Sequence, residues 1–342
     1  MSTTARVLHV TECLGGGVPK AMVAVASNAT SYEHHVLWPS GNDAPDGVYA
    51  SVHVLPAGTW SRVRALRDVL LTLRPDLVHA HSSWAGVLAR VVRGAPVVYQ
   101  PHAFAFEAPT MARPTRALAL AVERALAPAT AAYAVLSEDE GRQAARLSRR
   151  VPRHVVPNVP SIPVGVAPAA TSAQPSPRVA MAGRVGPQKD PTFFAAVARL
   201  SQQRGLPYEF VWIGGGGATD VGRLREAGVR VTGWLDEDAL ARELGRCGVY
   251  LHSAAYEGFP LSVLDALAAG LPVVARRIPA LAGTPVPQVV DAAEALDAVH
   301  GLMTDPAARQ RAMRTRHDVL SEMNPLRQRV AVQGMYQKVV AA

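Results

Sequence analysis

Short, continuous runs of β-type apolar residues alternate with helix-patterned stretches from one end of this chain to the other. RVLHV (6–10), HHVLWP (34–39), VHVLP (52–56), DLVHAH (76–81), PVVYQ (96–100), AAYAVLS (131–137) and HVVPN (154–158) read as strands. Between them, SRVRALRDVLLTLRP and WAGVLARVVRG carry apolar residues at the three-to-four spacing of amphipathic helices. Strands that are apolar throughout, rather than on alternate residues, are buried on both faces. That demands a parallel sheet with helices on either side. Residues 1–163 are therefore expected to form a doubly wound α/β domain. VGVAPAATSAQPSP (164–177) has no periodic apolar face and reads as a linker. The pattern restarts with RVAMAG (178–183), a helix from Pro191, YEFVWIG (208–214), VRVTGW (229–234), a helix over 236–246, VYLHS (249–253) and PQVVD (287–291). This is a second α/β domain, 178–324. A last helical stretch, 325–342, sets Val330, Val332, Met335, Tyr336 and Val339 on one side and is expected to cross back to the first domain. Tandem doubly wound domains bind ligands at the C-terminal edges of their strands, so a crevice is expected there.

A length of 342 residues exceeds what one core usually serves, in keeping with two domains. The net charge of +8 is spread over both halves, with no basic tail or single cationic block. RNA-binding aromatic motifs and zinc-finger spacings are missing, so nucleic acid is not an expected partner. Anionic substrates and anionic membrane surfaces suit such an excess better. Two cysteines, Cys13 and Cys247, cannot build a disulfide framework. The N-terminus lacks an apolar signal core, and no run approaches the roughly 18 apolar residues that span a bilayer. The expected location is cytoplasmic.

YEGFPLSVLDALAAGLPVVA (256–275) is the richest stretch chemically. Glu257 precedes Gly258-Phe259-Pro260, a turn of small and rigid residues. Pro260 suits a helix start, Gly270 its C-terminal stop, and VVA a buried strand. The N–H groups of Phe259, Leu261 and Ser262 at such a start suit an anion such as a phosphate. Asp265 lies inside a short apolar helix, where propensity disfavours it, and so needs a reason to be there. The alternative is an ordinary crossover whose acids are a cap and a surface residue.

Three glycine-containing loops compete for a phosphate: Gly15-Gly16-Gly17 ahead of a helix near Pro19, AGRVGPQKDP after RVAMAG, and Gly214 to Gly217 after YEFVWI. The dinucleotide register G-x-G-x-x-G fails at Lys20 and at Thr219, and the triphosphate register fails around Lys189. Arg184 and Lys189 are the more specific signal. Two cations flanking a Gly-Pro turn, with Asp190 as N-cap and Pro191 at the first helical position, would clamp a diphosphate. Two solvated surface cations are the alternative. His79 and His81 lie on DLVHAH, one expected to pack and the other to reach the sheet edge. His102 follows PVVYQP, just past a strand end, and is expected to face the crevice.

Together these pieces resemble a known family. Glu257 and Asp265 stand eight positions apart, across a Glu-Gly-Phe-Pro turn and a Leu-Asp-Ala-Leu-Ala-Ala-Gly-Leu-Pro-Val-Val helix and strand. Upstream lie G-R-V-x-x-x-K-D from Gly183 to Asp190 and G-W-L from Gly233 to Leu235. The set is similar to retaining glycosyltransferase family 4, whose GT-B fold has two Rossmann-like, doubly wound parallel-sheet domains facing a central cleft. The resemblance covers the whole chain and is most specific in the second domain.

The resemblance implies transfer of a hexosyl or N-acetylhexosaminyl group from a nucleotide-sugar donor to an acceptor hydroxyl. Retention at the anomeric carbon is implied, with no bound metal or other cofactor. A UDP-sugar is favoured over a GDP-sugar. Arg184 and Lys189 would grip the diphosphate, and Glu257 would meet the sugar hydroxyls. N–H groups of Gly258 and Phe259 would bind the sugar, and those of Leu261 and Ser262 the phosphate. Asp265 matches the second acid, at the ribose, and Leu235 lies near the base. Gly16 and Gly17 would approach the donor from the first domain, and His102 matches a histidine beside the donor sugar. Two positions depart from the pattern. Asp265 is one methylene shorter than the usual Glu, and Val159-Pro160 follow Asn158 where the family usually has Gly.

The implied acceptor is a carbohydrate, a lipid-linked glycan of the cell envelope or a small molecule. Residues 110–126, TMARPTRALALAVERAL, with arginines at 142, 146, 149, 150 and 153, offer a surface for the anionic inner face of the plasma membrane. Competing readings are a dinucleotide-dependent oxidoreductase, suggested only by paired Rossmann-like sheets, and a non-catalytic GT-B scaffold.

Overall fold

The computed structural model describes residues 4–41, 43–165 and 175–342. Most of the expected linker, 166–174, lies outside the described residues. The chain divides into two compact units: one runs to Val159 and takes in Asn324–Ala342, the other is Pro160–Met323.

In the first unit, β1 (Arg6–Thr11), α1 (Gly17–Asn28), β2 (Glu33–Pro39), β3 (Ser51–Leu55), α2 (Thr59–Leu73), β4 (Leu77–His81) and α3 (Ser83–Val92) come first. They are followed by β5 (Val97–Gln100), α4 (Arg113–Leu126), β6 (Ala132–Val135), α5 (Glu138–Leu147) and β7 (Arg153–Val155). The strands form one parallel sheet in the order β3-β2-β1-β4-β5-β6-β7. Order reverses between β1 and β4, the switch point where such sheets open toward ligands.

Register decides what each face buries. Val7 lies beside His34 and Leu77, His9 beside Val36 and His79, and Thr11 beside His81, so these residues share one face. Val7, Leu77 and Val98 pack there under Val25 and Ala29 at the end of α1, and under Val332, Met335, Tyr336 and Val339. These last four lie on α12 (Pro325–Val340). Val330, expected on the same side, is 63% exposed. It stands two residues from both Gln328 and Val332, roughly 200° round the helix from the buried stripe. On the opposite face Leu8, Val10, Leu37, Val78 and Ala80 meet Leu66 and Val69 of α2 and Ala85 and Ala89 of α3. His81 is the last residue of β4, at the C-terminal edge of the sheet, but it is no more exposed there than His79. Residues two apart on a strand share a face, and both rings are fully buried.

The second unit holds β8 (Arg178–Ala182), α6 (Pro191–Gln203), β9 (Glu209–Ile213), α7 (Ala218–Glu226), β10 (Arg230–Val231) and α8 (Glu237–Gly245). Then come β11 (Val249–His252), α9 (Leu261–Ala268), β12 (Val273–Arg276), β13 (Gln288–Val289), α10 (Ala292–Thr304) and α11 (Pro306–Glu322). Its sheet is parallel in the order β10-β9-β8-β11-β12-β13. The run VRVTGW shrinks to a two-residue strand, because Gly233 turns to bridge Gly214 antiparallel. Among the described residues no helix is long and apolar enough to cross a membrane.

A buried charge anchors α4 to the first unit. Glu123 is 4% exposed and accepts from Tyr99 Oη at 2.9 Å, while its other oxygen meets Arg90 Nη2 at 2.9 Å. Arg90 is fully buried, donates from Nε to the Gly86 carbonyl and lies 4.1 Å over the Tyr99 ring. Gly86 has to be glycine, since a β-carbon there would stand 2.4 Å from that ring. Removing one partner of a buried pair strands the other charge in a dry interior. Glu123→Ala is therefore expected to destabilise the first unit by about 3–5 kcal/mol, read from its urea transition. A loss under about 1 kcal/mol, the range of exposed pairs, would refute this role.

Candidate active site

The chemistry of the second unit gathers on the loops that leave β8, β9 and β11. After Ala182 the chain turns through Gly183 at φ 140°, and a β-carbon there would stand 2.8 Å from Cε of Lys189. Gly183 N–H donates to Ile213 O and Val185 N–H to Gly215 O, so the loops after β8 and β9 run side by side. At Gly214 a β-carbon would meet the Gly183 carbonyl at 2.1 Å, and at Gly216 the Val185 carbonyl at the same distance. These glycines of the third loop are thus required by close backbone approach.

Lys189 Nζ lies 2.5 Å from Glu257 Oε1, and the two side chains are 16% and 10% exposed. Gln188 Nε2 donates to the other Glu257 oxygen and to the Tyr256 carbonyl, each at 3.3 Å. Ala255 N–H donates to Gln188 O, and Ser253 Oγ to Lys189 O, binding the loop after β8 to the loop after β11. His252 stands beneath the pair, with Nε2 3.8 Å from Glu257 Oε1. Burial, and then the Lys189 charge, hold its pKa well below the usual value, so it is neutral there. Asp190 caps α6 through Phe193 N–H at 3.0 Å and receives Arg276 on its second oxygen at 2.5 Å. Arg184 is exposed on the same loop.

Gly258 and Phe259 are buried in the turn after Glu257. Pro260 takes the N-cap position of α9, so no side chain caps the helix start. Leu261 and Ser262 supply its first N–H groups, and the Ser262 hydroxyl is shielded from solvent without a hydrogen-bond partner. Gly270, at φ 83°, follows the last turn. Leu235 is half-buried just before Asp236, the cap of α8, and Trp234 is 58% exposed beside Gly215.

Asp265 is 4% exposed. It accepts from Ser161 N–H at 2.6 Å and Ser161 Oγ at 2.9 Å, one on each oxygen. That supplies the reason for an acid in an apolar helix: the carboxylate fixes the first turn of the second unit. The oxygens that the resemblance places at a ribose are engaged with Ser161 in this structure.

In the first unit, Gly16 is the N-cap of α1 at φ 86° and Gly17 its first residue, two positions before the expected start at Pro19. Both are exposed, and no side chain caps that helix either. His102 follows β5 at φ 54° and is half-buried; Ala103 follows at φ 90°. Two consecutive non-glycine residues in this region constitute strained backbone. Glu140 holds it, accepting from Ala103 N–H at 2.8 Å and Leu136 N–H at 2.6 Å. The first unit thus carries Gly16, Gly17 and His102, and the second Lys189, Glu257, Arg184 and the α9 turn. Sequence reasoning overlooked Gln188 and Glu140, since a polar residue before a cation and an acid in a first helical turn are common patterns.

Two parallel-sheet α/β units of this kind define a GT-B fold, and solved structures agree. Sucrose-phosphate synthase from Thermosynechococcus elongatus superposes with a TM-score of 0.80 at 19% identity, covering 98% of this chain and 99% of that one. HepE of Anabaena in complex with UDP-glucose gives 0.76 at 14%, covering 98% and 100%. The family described as Glycosyl transferase 4-like domain matches residues 15–159, and Glycosyl transferases group 1 matches residues 176–313. The chain belongs to the family 4 glycosyltransferases. Among curated relatives, an uncharacterised 41.2 kDa protein of the cps region of Klebsiella pneumoniae is 23% identical over 80% of this chain and 82% of its own length. The Escherichia coli UDP-Gal:alpha-D-GlcNAc-diphosphoundecaprenol alpha-1,3-galactosyltransferase is 27% identical over 63% of this chain and 61% of its own.

Acid should loosen this protein with a definite sign. His9, His79, His81 and His252 are fully buried, and burial depresses each pKa from 6.5, that of His79 to about 3. The unfolded chain takes protons below 6.5 that the folded interior refuses. Their contribution is complete above 6.5 and lost as pH falls toward the folded values. Glu140 runs the other way. Burial raises it from 4.5 to about 7, so it offsets one histidine between those values. With His102 depressed to about 3 beside them, the depressed histidines outnumber Glu140, so stability is expected to fall from pH 6 to 5, measured by urea denaturation. A flat profile would show that these rings are charged in the fold.

Proposed function

We propose that this protein transfers a hexosyl or N-acetylhexosaminyl group, with retention and without a bound metal, from a UDP-sugar to an acceptor hydroxyl in cell-envelope glycan synthesis. A GDP-sugar is the second donor candidate. The observation that carries the reading is the Lys189–Glu257 pair, set beside the exposed Arg184 and the uncapped start of α9. Charge develops on the leaving diphosphate as the glycosidic bond breaks. Fixed cations and a helix N-terminus aimed at that oxygen stabilise the transition state more than the ground state. Arg184 offers a planar fork and Lys189 a point charge. Glu257, held by Lys189 and Gln188, presents a carboxylate to the sugar hydroxyls. Gly258 and Phe259 bound the sugar, and Leu261 and Ser262 bind the phosphate through N–H groups. Leu235 lies near the base, Gly16, Gly17 and His102 serve the donor from the first unit, and Asp265 meets the ribose by giving up one of its Ser161 bonds. The departing phosphate takes the acceptor proton, so no strong side-chain base is required. A UDP-sugar and a lipid-linked acceptor are favoured by the UDP-glucose bound to HepE and by the name of the Escherichia coli relative.

Lys189→Ala and Glu257→Ala are expected to abolish transfer while circular dichroism stays unchanged. Lys189→Ala should also lose the rise in melting temperature that UDP gives the parent protein. Near-normal turnover in both variants would sink the assignment.

Membrane contact at the cytoplasmic face is the accompanying proposal. Met111 just ahead of α4 and Leu118 on it are exposed, as are Arg113 and Arg124, and Arg124, Arg146 and Arg149 line one surface depression. Apolar anchors flanked by cations suit an anionic lipid surface. Replacing Arg124, Arg146 and Arg149 by Ala is expected to reduce co-sedimentation with anionic vesicles at low salt. Equal sedimentation, or none by the parent protein, would refute it.

A further inference from the structure

Four histidine rings of the first unit stand in one line, three of which the transfer chemistry above leaves unused. His34 Nε2 is 2.9 Å from the Ala29 carbonyl oxygen, and His34 Nδ1 is 2.9 Å from His9 Nε2. His9 Nδ1 is 3.1 Å from His81 Nε2, and His81 Nδ1 is 3.2 Å from His102 Nε2. Sheet register produces the line: His9 and His34 lie on adjacent strands of one face, and His81 follows on β4 opposite Thr11.

The direction of every hydrogen bond in this line follows from one atom. Burial lowers the pKa of all four rings, that of His102 to about 3, so each ring is neutral with one N–H and one lone pair. The Ala29 carbonyl can only accept, so His34 carries its proton on Nε2. Its Nδ1 is then a lone pair, which obliges His9 to donate from Nε2. The same step repeats at His81 and at His102. His102 therefore donates from Nε2 and is left with a bare Nδ1. Ala29 caps the C-terminus of α1, where the helix dipole favours a donor, so the anchor is well placed. At the other end, the strained His102–Ala103 turn is held by Glu140, which fixes the backbone that carries the last ring.

We propose that His34, His9 and His81 are positioning residues that lock the tautomer of His102, whose bare Nδ1 accepts a hydrogen bond from a hydroxyl of the donor sugar. This rests on the glycosyltransferase reading, which puts His102 beside that sugar. A neutral ring with a bare lone pair accepts from O–H groups and repels phosphate oxygens, which have no proton to give. The ring thereby sorts the sugar end of the donor from its diphosphate end. His9, His79 and His81 also bring nitrogen atoms within 4.8 Å of one another. The lone pair of His9 that would face an ion there is taken by His81.

The test is the tautomer itself, read from two-bond proton–nitrogen spectra of the full chain labelled with 15N-histidine at pH 7. All four rings are expected to carry the proton on Nε2. His34→Asn retains an acceptor oxygen near the Nδ1 position and should leave the His102 signal unchanged. His34→Leu removes the acceptor, and should bring in an Nδ1–H signal at His102 and raise the donor KM roughly three- to tenfold with a smaller change in kcat. An Nδ1–H or imidazolium at His102 in the parent protein would overturn the relay whether or not His34→Leu folds. So would one equivalent of zinc taken up with loss of the His9–His81 bond. The spectra need no donor. Correct tautomers in a protein that binds no UDP-sugar would overturn the glycosyl-donor assignment and the sugar contact, and leave the relay standing.

Discussion

The ion pair between Lys189 and Glu257 is the constraint around which the second unit's loops are arranged. Both side chains are nearly out of water, and a pair so placed is stable only when its geometry is good and its remaining oxygens are satisfied. The neighbouring sequence meets those conditions one by one. Gln188 takes the second Glu257 oxygen, and Ser253 and Ala255 hold the backbone at Lys189 and Gln188. Gly183 leaves room for the lysine stem, and Gly214 leaves room for the Gly183 carbonyl. The glycines, the amide and the acid form one unit of mutual dependence, with the lysine at its centre.

The same logic separates what the sequence displays from what it conceals. Continuous apolar strands announced two parallel sheets because burial on both faces leaves no other arrangement. The Glu257 turn, the Pro260 helix start and the Gly270 stop are local rules and could be read locally. Helices α5, α7 and α11 went unremarked because their apolar stripes are thin; among apolar residues α5 buries only Ala144, α7 only Leu224 and α11 only Ala312 and Val319. The glycine run at 214–217 resembled a phosphate cradle, but two of its glycines answer to backbone carbonyls from a loop more than thirty positions earlier. Such requirements arise only from tertiary contact.

Asp265 and the histidines illustrate the remaining gap. An acid in an apolar helix signalled that a partner was needed, but the partner, Ser161, lies 104 residues away. His79 and His81 looked like separate residues on one strand, and His9 and His34 like unremarkable members of two others. Strand order and register place them on a common face, and neither is visible before the sheet is known. For His9, His79 and His81, a polar side chain in the C-terminal half of an otherwise apolar parallel strand was the available signal, since that edge is where such sheets meet ligands; His34, near the start of β2, carried none.

The path of the chain has a consequence for how the molecule is made. The first unit is left at Val159 and re-entered at Asn324, and α12 supplies four of the apolar side chains that cover one face of its sheet. A nascent chain that has reached Met323 therefore holds every strand of its first sheet with that face still partly bare. The unit encoded second is contiguous and is complete first. Domains commonly mature in the order of synthesis, but here the earliest strands await α12, and that sixteen-residue helix closes a core begun at Val7.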